Sequence, residues 1–95
     1  MSIGSKFLLA CGVVAGCAFA FSAARAAPEP FCRDYTRAAL AQVQKALAIP
    51  RCRRGMDGPR WSADYKVHFG WCLGASLRAA DEERAARTVH LRRCE

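Results

Sequence analysis

Four cysteines, Cys32, Cys52, Cys72 and Cys94, stand at near-equal intervals through residues 27–95, and they constrain the fold more than any other feature. The same stretch holds Phe31, Tyr35, Trp61, Tyr65, Phe69 and Trp71 but only a sparse set of aliphatic side chains. A hydrophobic core of that size supplies about 3–5 kcal/mol, so crosslinks or a bound metal are expected to complete it. The chain contains no C-x-x-C, which excludes a thioredoxin-type redox motif, a zinc knuckle and a C-x-x-C-H haem attachment.

Crosslinking needs an oxidising compartment, and the N-terminus points to one. Lys6 provides a positive start, Phe7 to Phe21 is uncharged and mostly apolar, and Ala24-Arg25-Ala26 has the small-x-small form that signal peptidase cuts after. The run is shorter than the ~20 residues a membrane-spanning helix requires. Residues 1–26 therefore read as a signal peptide and residues 27–95 as one exported domain, in the periplasm or secreted. A competing reading takes Val14-Ala15-Gly16-Cys17 as a lipobox and anchors the protein through an acylated Cys17. The apolar stretch that follows Cys17 opposes it.

The exported part reads as helical throughout. CRDYTRAALAQVQKALAI is rich in good helix formers, with Cys32, Tyr35, Ala39, Val43 and Leu47 on one stripe. Pro50 ends this first helix by forcing Ile49 out of the α region. RCRRGMDGPR, residues 51–60, is a loop. Ser62 is expected to cap a second helix, with Asp64 in its first turn. Apolar residues surround that helix so fully that it reads as the central one, and Gly70 suggests a close neighbour. Gly74 ends it. A third helix begins between Ser76 and Asp81, with acids in its first turn and LRRC in its last, the order favoured by the helix dipole.

Geometry selects the cysteine pairing. Cys32 and Cys52 lie at opposite ends of a helix some 24 Å long, whereas a disulfide needs Cα atoms within about 7 Å. The third helix carries Cys94 away from Cys72 in the same manner. An up-down-up bundle leaves Cys32–Cys72 at one end and Cys52–Cys94 at the other. The expected fold is thus all-α, a small three-helix bundle stapled by two disulfides.

That geometry also bears on a pair of echoing motifs, His68-x-x-x-Cys72 and His90-x-x-x-Cys94. Four ligands of this kind suit zinc only if they converge on one point, and antiparallel helices place the two pairs at opposite ends. The metal-binding alternative requires a different bundle, and no cofactor is expected. Asp64 lies one turn before His68 and would hold its imidazole, as the orienting carboxylate does in a catalytic pair. No serine or free thiol nucleophile accompanies them, so the small-enzyme reading stays an alternative to a buried, hydrogen-bonded core histidine. His90 is expected on the surface.

Loss of Lys6 and Arg25 takes the chain's 15 basic residues to 13 against 8 acidic ones, a net charge of +5. An exported protein rarely meets nucleic acid and no recognition motif is present, so none is expected as a partner. Arg51, Arg53, Arg54 and Arg60 concentrate charge in one loop suited to an anionic glycan or a lipid headgroup; a periplasmic protein is the further candidate. The expectation is a monomeric, non-catalytic binding or structural module.

Cys32 to Ala39, the Gly58-Pro59-Arg60-Trp61 turn, His68-x-x-Trp71-Cys72 and the closing Leu91-x-x-Cys94 together resemble a pattern in small exported four-cysteine proteins of alphaproteobacteria. The resemblance covers nearly all of residues 27–95. It implies a shared scaffold and export, and no activity. His90 lies outside it.

Overall fold

The computed structural model describes residues 25–95. The signal-peptide assignment up to residue 24, and with it Cys17, lies outside the described residues. Three helices form an up-down-up bundle: α1 Glu29–Ala48, α2 Tyr65–Leu73 and α3 Leu77–Cys94. Two short 3-10 turns, Pro50–Arg53 and Pro59–Trp61, lie between α1 and α2.

Helix boundaries follow local chemistry. Pro30 sits in the first turn of α1, where a missing N–H costs nothing. Ile49, ahead of Pro50, leaves the helix at φ −109° and ψ 110°. The start of α2 differs from expectation. Asp64, not Ser62, is its N-cap, and its side chain accepts from Lys66 N at 2.9 Å. Ser62 acts one step earlier, its Oγ accepting from Asp64 N at 3.0 Å. Ser76 caps α3 through Ala79 N, also at 3.0 Å.

Both disulfides form the expected pairs. Cys32 and Cys72 have Cα atoms 5.6 Å apart, and Cys52 and Cys94 5.0 Å apart. Each anchors its own core. At one end Cys32, Tyr35, Ala39, Cys72 and Ala80 pack with Ala27. At the other, Cys52 packs with Val43, Ala46, Trp61 and Leu91. Ala27 is buried and donates from its backbone N to Ala75 O at 2.7 Å, while Arg25 and Ala26 are exposed.

The central element is α1, not α2. Both other helices and the first 3-10 turn lie against α1, whereas α2 and α3 barely meet. Only His68 and Cys72 of α2 are buried; Tyr65, Val67, Trp71 and Leu73 keep much of their surface in water. Nothing approaches the outer face of Gly70 within 4 Å, so no close neighbour explains that glycine. On α1 the buried stripe bends to Ala46 and leaves Leu47 40% exposed. The straight-helix stripe drifts around the axis, and the shorter alanine faces the disulfide-closed end.

Candidate functional site

A layer of polar groups crosses the bundle between the two cores, and Arg87 of α3 is its centre. Arg87 is 1% exposed and has no carboxylate within hydrogen-bonding distance among the described residues. Its fork is satisfied by neutral oxygens: Nε donates to Gln42 Oε1 at 2.7 Å, Nη1 to Arg60 O at 3.3 Å and Nη2 to the Tyr35 hydroxyl at 2.9 Å. Its guanidinium carbon also lies 5.2 Å from the centre of the Tyr35 ring. A buried charge survives only with such a full set of partners. Arg87 ties α1, α3 and the loop carrying Arg60 to a single point.

Above this layer opens a cavity of about 340 Å³. Its aromatic wall comes from three elements: Tyr35 of α1, Trp61 of the second 3-10 turn, and Trp71 of α2. Val67 and His68 continue the α2 side, Glu83 closes the α3 side, and the segment from Gly55 to Arg60 forms the rim. Gly58, at φ 82° and ψ −179°, occupies backbone space that only glycine takes comfortably, and it aims Pro59–Trp61 inward. Trp61 is buried, its ring 4.7 Å from that of His90.

Arg60 and Glu83 face each other across the rim, with Nε to Oε1 at 2.8 Å and Nη2 to Oε2 at 3.0 Å. This two-pronged bond holds the Glu83 carboxyl below its ordinary pKa. Partial burial opposes the shift, while the charges of Arg60, Arg87 and His68 add to it. The same bond pushes Arg60 above its ordinary value.

His68 is 3% exposed, and its Nε2 lies 2.7 Å from Ser62 O. A carbonyl only accepts, so Nε2 carries a proton. Nδ1 has no protein partner among the described residues and is not a sealed-off atom; the one buried unpartnered side-chain polar atom there is Arg84 Nε. The expected Asp64–His68 pairing is not formed: Asp64 is committed to its helix cap, and Ser62 orients the imidazole instead. His90 departs from expectation as well. It is partly buried, with Nε2 donating to Cys52 O at 2.8 Å.

Disulfide bonding removes the thiolates of both His-x-x-x-Cys pairs, and Cys72 and Cys94 belong to different bridges at different ends of the bundle. No group of three or more potential metal ligands occurs among the described residues.

The arginines of the loop divide. Arg60 belongs to the cavity rim. Arg51 donates to Glu95 O at 2.6 Å and Arg53 to Leu47 O at 3.0 Å. Arg54 is exposed and makes no hydrogen bond or ion pair among the described residues. The Cys52–Cys94 bridge brings further cations beside them: Lys45, which pairs with Glu95 at 2.7 Å, and the exposed Arg92 and Arg93 of the last turn of α3. Both α1 and α3 end here, so two negative dipole ends meet at this pole and cations suit it.

Sequence reasoning missed Tyr35, Glu83 and Arg87 as site residues. One signal for Arg87 existed: with Ala80 and Leu91 it falls on the buried stripe of α3, the position of an apolar residue. Comparison of the chain with protein-family models, with curated proteins and with solved structures finds no match.

Proposed function

We propose that this protein is an exported, non-catalytic binding module that engages a polyanionic surface through the pole around Cys52–Cys94. One observation carries the reading: Lys45, Arg51, Arg53, Arg54, Arg92 and Arg93 gather at that end, where Glu95 is paired with Lys45. Helix capping accounts for part of the charge, through Arg51 and Arg53. It does not account for Arg54, Arg92 and Arg93, which form no pair among the described residues. Three unpartnered guanidinium groups on a rigid, crosslinked end attract closely spaced negative charges, whether lipid phosphates or the carboxylates of an acidic polysaccharide. Export is supported by the two disulfides, which persist in oxidising compartments. No helix among the described residues is long and apolar enough to cross a membrane.

The test is binding at graded salt to three materials: phosphatidylglycerol vesicles, phosphatidylcholine vesicles and immobilised polygalacturonate. Retention on an anionic material that falls steeply with salt supports the reading, and the material retaining more protein names the source of the charge. Each cation near an anionic surface contributes about 1 kcal/mol, so an Arg54→Gln, Arg92→Gln, Arg93→Gln triple variant should bind about 100-fold more weakly. Equal retention of the triple variant and the parent, or none by either anionic material, overturns it.

A further inference from the structure

The basic pole makes no use of the cavity that opens beside it. Trp71 is 42% exposed and lines that cavity, with its ring 5.7 Å from that of Tyr35. We propose that this cavity binds one neutral polyhydroxylated ring, a pyranose unit of a saccharide, stacked on Trp71 and hydrogen-bonded to Glu83 and Asp57.

Size, wall and polar groups agree on this class. At about 340 Å³ the cavity lies near the lower end of the ~300–1,000 Å³ range of ligand pockets, the scale of a ring or two. A pyranose has an apolar face of axial C–H bonds and an edge of hydroxyls. The face matches the indole of Trp71, whose π-electrons attract weakly positive C–H groups. Hydroxyls match the rim because each can donate to a carboxylate and accept from a guanidinium. Glu83 keeps lone pairs beyond the two bonds from Arg60, and neither Asp57 nor the Nδ1 of His68 has a partner among the described residues.

Charge excludes the rival classes. Asp57 and Glu83 in the lining are balanced by Arg60 and by Arg87, which lies behind Tyr35 and close enough for its charge to act on Glu83. A carboxylate ligand would meet two carboxylates, and an ammonium ligand would meet Arg60, the guanidinium in the lining, with the field of Arg87 behind it. A wholly apolar ligand would strip water from Glu83, Asp57 and Arg60 and return no hydrogen bond, at several kcal/mol. The site is also stiff before any ligand arrives: Arg60 holds Glu83 by two bonds, Arg87 holds the Arg60 carbonyl, and Trp61 is wedged against His90. Little ordering remains to be done on binding.

The experiment is a titration of the oxidised protein from an exporting host, read by the indole N–H resonances of Trp61 and Trp71. The probes are methyl β-glucopyranoside and diacetylchitobiose, with choline, glucuronate and indole as charged and apolar controls. The neutral saccharides should shift the Trp71 resonance saturably in the millimolar range. In Asp57→Asn, an exposed change that leaves the fold alone, saccharide affinity should fall several-fold. In Trp71→Ala the response of Trp61 should weaken at least tenfold. The Arg54, Arg92, Arg93 triple variant should bind saccharide unchanged, which keeps this site distinct from the basic pole. Shifts with choline, glucuronate or indole but not with saccharide overturn the ligand class. Silence with every probe, or saccharide binding indifferent to Trp71→Ala, overturns the site.

Discussion

The two ends of the bundle carry the same device, a disulfide from α1 or its exit to a neighbouring helix, yet they are built differently. At the Cys32–Cys72 end the core is made of small residues, Ala27, Ala39 and Ala80, around Tyr35, and α2 lies directly on α1. At the Cys52–Cys94 end no third helix covers α1 and α3. A loop closes that end, and Trp61, Met56 and Ile49 supply bulk in place of a helix face. Charge divides along the same line. Glu29, Asp34 and Glu82 in the N-terminal halves of α1 and α3 are each paired with an arginine, Arg33, Arg37 and Arg78, whereas Arg54, Arg92 and Arg93 stand unpaired among the described residues where both helices finish. The helix dipoles favour that sorting. The loop-closed end carries the charged pole, and the cavity opens where that loop meets α2 and Tyr35.

Deleting the bridges is the strongest way to break this comparison. The loops closed by Cys32–Cys72 and Cys52–Cys94 span 40 and 42 residues. Loop entropy alone predicts a loss of about 4 kcal/mol for either paired Cys→Ala variant, read by urea unfolding. Nearly equal losses mean that the two ends rely on their staples alike. A clearly larger loss at Cys52–Cys94 means that the loop-closed end depends on its bridge to seat Trp61 as well.

Next comes the layer between the ends. Arg87→Ala strands the Tyr35 hydroxyl, Gln42 and the Arg60 carbonyl together, and should cost several kcal/mol, at about 1–3 kcal/mol for each buried group left unmet. Thermal unfolding of the variant measures it. A loss near that of an exposed arginine, under about 0.5 kcal/mol, would show that the two cores do not need the polar layer to hold them in register.

The smallest effect belongs to the cavity rim. Because the Glu83 pKa is lowered in the folded state, its contribution is fully present above the ordinary carboxylate range and fades as pH falls through the lowered folded value. Both partners are substantially exposed, at 45% and 27%, so the pair contributes about 0.2–1 kcal/mol. Glu83→Gln should therefore lower stability by that amount at pH 7 and by nothing in strong acid, as followed by urea midpoints across pH. A difference that persists unchanged into strong acid would mean that the side chain acts by packing.

Much of this architecture is legible along the chain. Pro50 and Gly74 mark helix ends through their own backbone chemistry. The rigid length of a helix eliminates one of the three cysteine connectivities, Cys32–Cys52 with Cys72–Cys94, and the up-down-up order of the helices eliminates another. Legibility fails where a residue serves two descriptions at once. The apolar ring of α2 reads as an interior helix, yet Tyr65, Val67, Trp71 and Leu73 stay near the surface, because a nine-residue helix reaches only one side of α1. Asp64 stands at the right spacing for His68 but caps the helix instead, since an N-cap oxygen satisfies a backbone donor that otherwise has no partner.

The sequence by itself determined the number of helices, most of their ends and both disulfides, because propensity, capping and helix length act locally or along one dimension. Only the tertiary structure decided which helix is central, that an arginine fills a core position, and that Glu83 meets Arg60 beside three aromatic rings. Those outcomes depend on which side chains from distant elements meet, and burying Arg87 is tolerable only once α1 and the loop have brought it three oxygens.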